Sequence, residues 1–147
     1  MYRTIVWATD GSTHADHALP FARELVALTH AKLVVVHADE IVAAGRASGE
    51  TVRAGEPELD ARIHEQAKAL EADGFDVDVR IEIGREGPAR LIARVAAEVD
   101  ADLIVVGTRG HGPLTGALIG SVAQHLLHEA HCPVLAVPPA VREPATA

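Results

Sequence analysis

The chain has 147 residues, of which 48% are hydrophobic. That is enough for one domain with a full core, and the formal net charge of −8 argues against general binding to nucleic acid or anionic membrane. A single cysteine, Cys132, excludes an intrachain disulfide and suits a reducing compartment. No apolar run approaches the length of a membrane span, and the first residues enter a strand pattern rather than a signal peptide, so the expected location is the cytoplasm.

Aromatic residues are confined to Tyr2, Trp7, Phe21 and Phe75, so the core must come from Val, Ile, Leu and Ala. Tyr2–Thr9 holds a short apolar run that ends in the turn chemistry of Asp10-Gly11-Ser12. A helix follows, with Ala15, Ala18, Leu19, Ala22, Leu25 and Val26 on one face. Pro20 inside it demands either a kink or an irregular first turn. Lys32–Ala38 reads as a buried strand. Residues 39–55 show no period and contain Gly45, Gly49 and Gly55, which predicts a long mobile loop.

Pro57 suits the first turn of a second helix, whose apolar stripe is Leu59, Ile63, Ala67 and Leu70. Phe75–Ile83 alternates strictly between apolar and polar, the mark of a strand with one wet face, hence an edge. A third helix begins at Pro88, with Leu91, Ile92, Val95 and Ala96 inward. Asp102–Gly107 is a fourth strand. A glycine-rich segment follows, and a helix then turns Val122, Ala123, Leu126, Leu127 and Ala130 toward a core. Pro133–Val137 is a fifth, short strand. The domain is expected to span residues 1–138, with 139–147 a flexible tail.

Strands that alternate with helices predict an α/β fold, an open parallel five-stranded sheet with helices on both faces. The flavodoxin-like order 3-2-1-4-5 puts the alternating strand at one edge. The chain then reverses direction between strands one and four, and ligands bind outside the carboxyl ends of strands at such a point. Those ends carry Thr9-Asp10-Gly11-Ser12 and the stretch from Gly107 to Ser121, with glycines at 107, 110, 112, 116 and 120. A backbone poor in Cβ atoms can approach a ligand closely and aim N–H groups at an anion. A helix N-terminus adds unpaired donors and partial positive charge. Phosphate binding is the chemistry this pattern predicts.

The residues resemble the universal stress proteins, specifically their ATP-binding branch, whose fold is adenine nucleotide alpha-hydrolase-like. Gly107, Gly110, Gly120 and Ser121 match the pattern G-x2-G-x9-G-[ST] without a gap. The segments I-V-W-A-T-D-G-S, V-V-V-H-A, A-D-L-I-V-V-G-T-R-G and H-C-P-V-L-A-V look like family segments. The resemblance covers the chain except for the 39–55 loop and the tail. It implies adenine beside backbone groups around Ala38, packed by Ala8 and Val106, with Thr9 and Asp10 on the partner loop and Asp10 near the ribose or the metal-bound phosphates. It implies a phosphate loop of Gly107, Arg109, Gly110 and Gly112, with Gly120, Ser121 and Val122 presenting N–H groups and a hydroxyl to the outer phosphates. ATP would bring Mg2+ or Mn2+ on those phosphates. The resemblance also points to a homodimer through the Pro133–Val137 edge strand.

No G-K-[ST] is present, and the two lysines, Lys32 and Lys68, are not placed to clamp a γ-phosphate. No base and nucleophile pair stands out, so a nucleotide sensor or regulator with slow or no hydrolysis is expected rather than a fast ATPase. Plainer roles accompany each site residue: Asp10 and Ser121 are both helix-capping types, and Arg109 suits a solvated surface. His37 ends an apolar strand and reads as a hydrogen-bonded core histidine. Cys132 reads as a small buried apolar residue. His125, His128 and His131 lack a Cys or carboxylate at a recognised ligand spacing, so no metal site is expected there; His111 reads as a surface residue. Two other functions stay open: a partner-binding stress module with a vestigial pocket, and binding of another adenine nucleotide such as a cyclic one.

Overall fold

The computed structural model describes residues 1–43, 51–53, 57–109 and 119–139, with side-chain surroundings described outside 40–56. Its elements in chain order are β1 (Thr4–Ala8), α1 (Thr13–Asp16), α2 (Leu19–Thr29), β2 (Lys32–Ala43), β3 (Thr51–Arg53), α3 (Pro57–Ala72), β4 (Val77–Gly84), α4 (Pro88–Glu98), β5 (Leu103–Gly107), α5 (Ser121–Glu129) and β6 (Val134–Val137).

Five strands run parallel in the order β4-β2-β1-β5-β6, which is 3-2-1-4-5 when the parallel strands alone are counted. In the register Ala8 lies beside Val36 on one side and Val106 on the other. The carboxyl ends of β1, β2 and β5 are therefore level. β4 pairs with β2 and lies at the edge, as its alternation requires.

Alternation along the central strands divides the core into two layers. Ile5, Trp7, Leu33, Val35 and Val105 face α2 and α3, where Ala22, Val26, Ile63, Ala67 and Leu70 meet them. Val6, Val34, Val36, Ile104 and Val106 face α4 and α5, against Ile92, Val95, Ala96, Ala123 and Leu126. Both faces of the sheet are thus covered, which is why β1 and β5 contain no charged residue.

Three departures from the sequence reading have local causes. Pro20 does not kink one long helix. The chain breaks after α1, and Pro20 stands in the first turn of α2, where its missing N–H would have no intrahelical partner anyway. Residues 39–55 are not one loop. β2 continues to Ala43 and β3 folds back on it antiparallel, Ile41 opposite Arg53 and Ala43 opposite Thr51. Runs of three paired residues are too short to show a period. Finally, Leu127 does not face the core but is 51% exposed. The buried stripe of α5 passes through Ala123 and Leu126, and Leu127 lies about 100° further round.

Candidate functional site

One cleft opens outside the carboxyl ends of β1, β2 and β5. Its lining includes Ala8, Thr9 and Asp10 from the first strand end, Ala38 from the second, and Val106, Gly107 and Arg109 from the third. Gly120, Ser121 and Val122 close it from the start of α5. Thus ten of the residues singled out in the sequence share one cleft, although more than a hundred positions separate the first from the last. Gly110 and Gly112, and His111 between them, lie outside the described residues.

The β1 turn is built tightly. Thr9 is buried; its N–H donates to the Val36 carbonyl at 2.9 Å, and its hydroxyl accepts from the Gly11 N–H at 3.1 Å. Gly11 has φ of 76°, so the backbone conformation demands glycine, and a Cβ there would also crowd Leu59 Cδ2 at 3.1 Å. Asp10 does not cap α1. Ser12 does, its hydroxyl accepting from Ala15 N–H at 3.1 Å, while Asp10 Oδ1 accepts from Ser12 N–H at 2.9 Å. The carboxylate of Asp10 is thereby held at the cleft rim by a local turn.

The facing wall differs. Gly120, not Ser121, occupies the N-cap of α5, and among the described residues no side chain caps this helix. Its first N–H groups meet the cleft with the partial positive charge of a helix start. Thr108 O accepts from Gly120 N–H, which draws together the two ends of the glycine-rich segment. Thr108 N–H donates to Val137 O at 3.0 Å, fixing that junction to β6. Gly107 is glycine for want of space: a Cβ would meet His14 O at 3.2 Å and Arg109 O at 3.3 Å.

Other cleft residues escaped the sequence reading. Ala15, His37, Pro88, Ile92, Thr108 and Ala123 also line it. Pro88 and Ile92 were visible only as a helix start and a core position; their place opposite β2 follows from the α4 crossover. The cleft therefore combines an apolar wall, from Ala8, Ile92 and Val106, with an anion-suited end at Arg109 and the uncapped α5. A flat apolar base and an attached phosphate match that division. The lysines stand elsewhere. Lys32 opens β2 at the opposite end of the sheet, paired with Asp78 at 2.7 Å, and Lys68 is exposed on α3.

Residues 1–138 match the model of the universal stress protein family. A universal stress protein of Thermus aquaticus is 37% identical over 139 residues, spanning 93% of this chain and 99% of the relative. Another from Methanocaldococcus jannaschii is 34% identical over 141 residues, spanning 93% and 82%. Among solved structures, a universal stress protein in complex with cAMP superposes with a TM-score of 0.70 at 28% identity, covering 97% of this chain and 99% of that one. The Archaeoglobus fulgidus universal stress protein in complex with dAMP gives a TM-score of 0.62 at 25% identity, covering 92% and 97%. With a family match over nearly its whole length, a sheet order of 3-2-1-4-5 and close relatives of full length, this chain belongs to the universal stress protein family.

Proposed function

We propose that this protein binds an adenine nucleotide in the cleft, ATP with Mg2+ or Mn2+ on its phosphates, and acts as a nucleotide-dependent regulator in the cytoplasm. The observation that carries the reading is the uncapped start of α5 facing the apolar wall formed at the ends of β1 and β5. The complexes of two relatives with cAMP and dAMP support an adenine ligand. In this reading Ala38 supplies backbone groups to adenine, and Ala8 and Val106 pack it. Asp10 lies near ribose or metal. Gly107, Arg109, Gly110, Gly112, Gly120, Ser121 and Val122 hold the phosphates. The bound cation offsets phosphate charge. Since both lysines lie away from the cleft, hydrolysis is slow beside the range of about 1–100 per second usual for kinases.

Calorimetric titration with ATP, AMP and cAMP, with and without Mg2+, tests this. Tight ATP binding that strengthens with Mg2+ is expected, and folded Gly120→Val should weaken it, because a branched side chain enters the α5 N-cap. Unchanged ATP affinity in that variant would count against the site. A cyclic nucleotide is the second reading, favoured by the relative bound to cAMP; preference for cAMP over ATP would select it. Failure of all three to bind would instead leave a partner-binding module.

We also infer a twofold homodimer with β6 strands adjacent. β6 ends the sheet order, and Leu135 on it is partly exposed, as is Leu127 on α5. An open apolar edge invites pairing, and a second copy satisfies it in an isologous contact. Light scattering should give a two-chain mass, reduced in Leu135→Asp; a one-chain mass for the unmodified protein at micromolar concentration sinks the proposal.

A further inference from the structure

We infer that Arg62, on α3, is a positioning residue of the cleft: it holds the turn after β1, and Asp10 on that turn, in the shape that receives the ligand. This role rests on the nucleotide reading of the cleft. No described residue of α3 lines the cleft itself, so Arg62 acts through the turn.

The contacts form one clamp. The Arg62 guanidinium donates through Nη1 to the Gly11 carbonyl and through Nη2 to Asp16 Oδ2 on α1. The other oxygen of Asp16 accepts from Gln66 Nε2 at 2.9 Å. Leu59 packs against Gly11 from the same helix. Leu59, Arg62 and Gln66 follow one another at intervals of three and four residues, so they share one side of α3. They flank Ile63, Ala67 and Leu70, which fix the helix to the sheet. The core therefore sets where the clamp stands.

The form of the clamp suits positioning better than stability. The side chains of Arg62 and Asp16 are 38% and 27% exposed, and an ion pair so open to water adds little to stability. Arg62 also grips a backbone carbonyl. That carbonyl belongs to Gly11, whose φ of 76° marks the residue with the widest conformational choice in the turn. A planar guanidinium fixes the directions of its N–H groups, so two acceptors on one fork set the place of Gly11 relative to α1.

What the fork holds is the rim of the cleft. Thr9 and Asp10 lead directly into Gly11 and line the cleft, and Asp10 Oδ1 is tied to the Ser12 N–H just beyond it. α1 carries the effect to the opposite wall. Its Ala15 lines the cleft, and its His14 O lies 3.2 Å from where a Gly107 Cβ would stand. Arg23 and Asp73 make a comparable exposed pair at 2.8 Å, but neither lines the cleft or grips its turns. That pair serves as the control.

The test is calorimetric titration of ATP with Mg2+ into the full chain and into Arg62→Met, Asp10→Asn and the double variant, with a thermal melt of each. Arg62→Met, which keeps the aliphatic stem, should weaken binding about three- to tenfold, and Arg23→Met should leave it unchanged. In the Asp10→Asn background the loss from Arg62→Met should shrink to under about twofold, because the charge being positioned has gone. A merely structural role costs the same in both backgrounds. Arg62→Lys keeps the charge without the fork and should not restore affinity. On the unmodified chain, ATP with Mg2+ should shift the Arg62 side-chain ¹⁵N resonances. Absence of binding by the unmodified chain overturns the nucleotide reading, and this role with it. Where the unmodified chain binds, four results overturn the positioning role alone: unchanged affinity in Arg62→Met, an equal loss in the Asp10→Asn background, full affinity in Arg62→Lys, or unmoved Arg62 resonances. The resonances are read without substitution, so failure of a variant to fold does not shield the proposal.

Discussion

Gly107→Ala separates close packing from backbone freedom at the cleft. Gly107 ends β5 between Val106 and the glycine-rich segment. Unlike Gly11, its φ lies outside the positive range, so alanine incurs no conformational strain there. The added methyl instead meets His14 O at 3.2 Å, Arg109 O at 3.3 Å and Ala15 Cα at 3.5 Å. All three are backbone atoms, and none can swing aside as a side-chain end would. Relief requires the Thr108–Arg109 segment or α1 to move by a few tenths of an ångström. Overpacking costs about 1–3 kcal/mol, and contacts this near the van der Waals limit place Gly107→Ala at the lower end, about 1 kcal/mol. For a chain of this size that is a drop in Tm of roughly 2–4 °C. The same displacement moves Arg109 and the α1 start, both at the cleft. If about 1 kcal/mol of strain is felt in binding, nucleotide affinity falls about fivefold. Thermal melts and ATP titration of the same preparation give both numbers. Unchanged Tm together with unchanged affinity would refute the steric account of this glycine; a lower Tm with unchanged affinity would refute its link to the cleft.

Two further outcomes follow from titratable groups. Asp102 accepts from the Arg3 N–H at 2.6 Å and the Thr4 N–H at 3.0 Å, and these backbone donors, Arg3 first, hold its carboxyl below the usual carboxylate range. A lowered folded pKa stabilises above the unfolded value of about 3.9, and that contribution disappears as pH falls through the folded value. The gap in urea midpoint between wild type and Asp102→Asn should accordingly be widest near pH 7 and shrink below about pH 4; a gap independent of pH contradicts this. Burial, and then the negative charge of Asp102, push the Cys132 thiol up. Little thiolate forms at pH 8 as a result, so Cys132 should react with a disulfide reagent several-fold more slowly than the urea-unfolded chain. Equal rates would show an open thiol.

Much of the fold was legible because each long element carries its own period. The alternation of Phe75–Ile83 marked an edge strand, and an edge strand it is. The stripes of α3 and α4 identified Ile63, Leu70, Ile92 and Val95 before any contact was known. The cleft was legible for a different reason. Turn and cap residues cluster where a strand hands over to a helix, and the strand order alone brings two such junctions together. What failed to show was everything set by short segments. The pairing of Ile41–Ala43 with Thr51–Arg53 leaves no trace in three-residue runs. The break between α1 and α2 was signalled by Pro20 but not located, since a proline at the start of a helix and one that kinks it look alike in sequence.

The corner that holds buried His37 and Asp39 beside half-buried Asp60 shows the limit most clearly. His37 reads as a core residue because it ends an apolar strand, and Asp39 as the start of a loop because 39–55 shows no period and contains three glycines. Each inference is sound for a strand that stops at Ala38. β2 does not stop there: Asp39 pairs with Ile83, and Glu40 with Gly84, in the ladder with β4. Extending the strand by a single residue keeps the alternation in phase, so Asp39 falls on the same covered face as His37 rather than in solvent. Burial of that carboxylate is therefore a consequence of strand length, which β4 sets by offering partners up to Gly84. Asp60 completes the group because the α3 stripe reaches one turn beyond Ile63. A strand end misjudged by a few residues thus converts a loop aspartate into a buried one, and the chemistry of that corner depends on the register between β2 and β4.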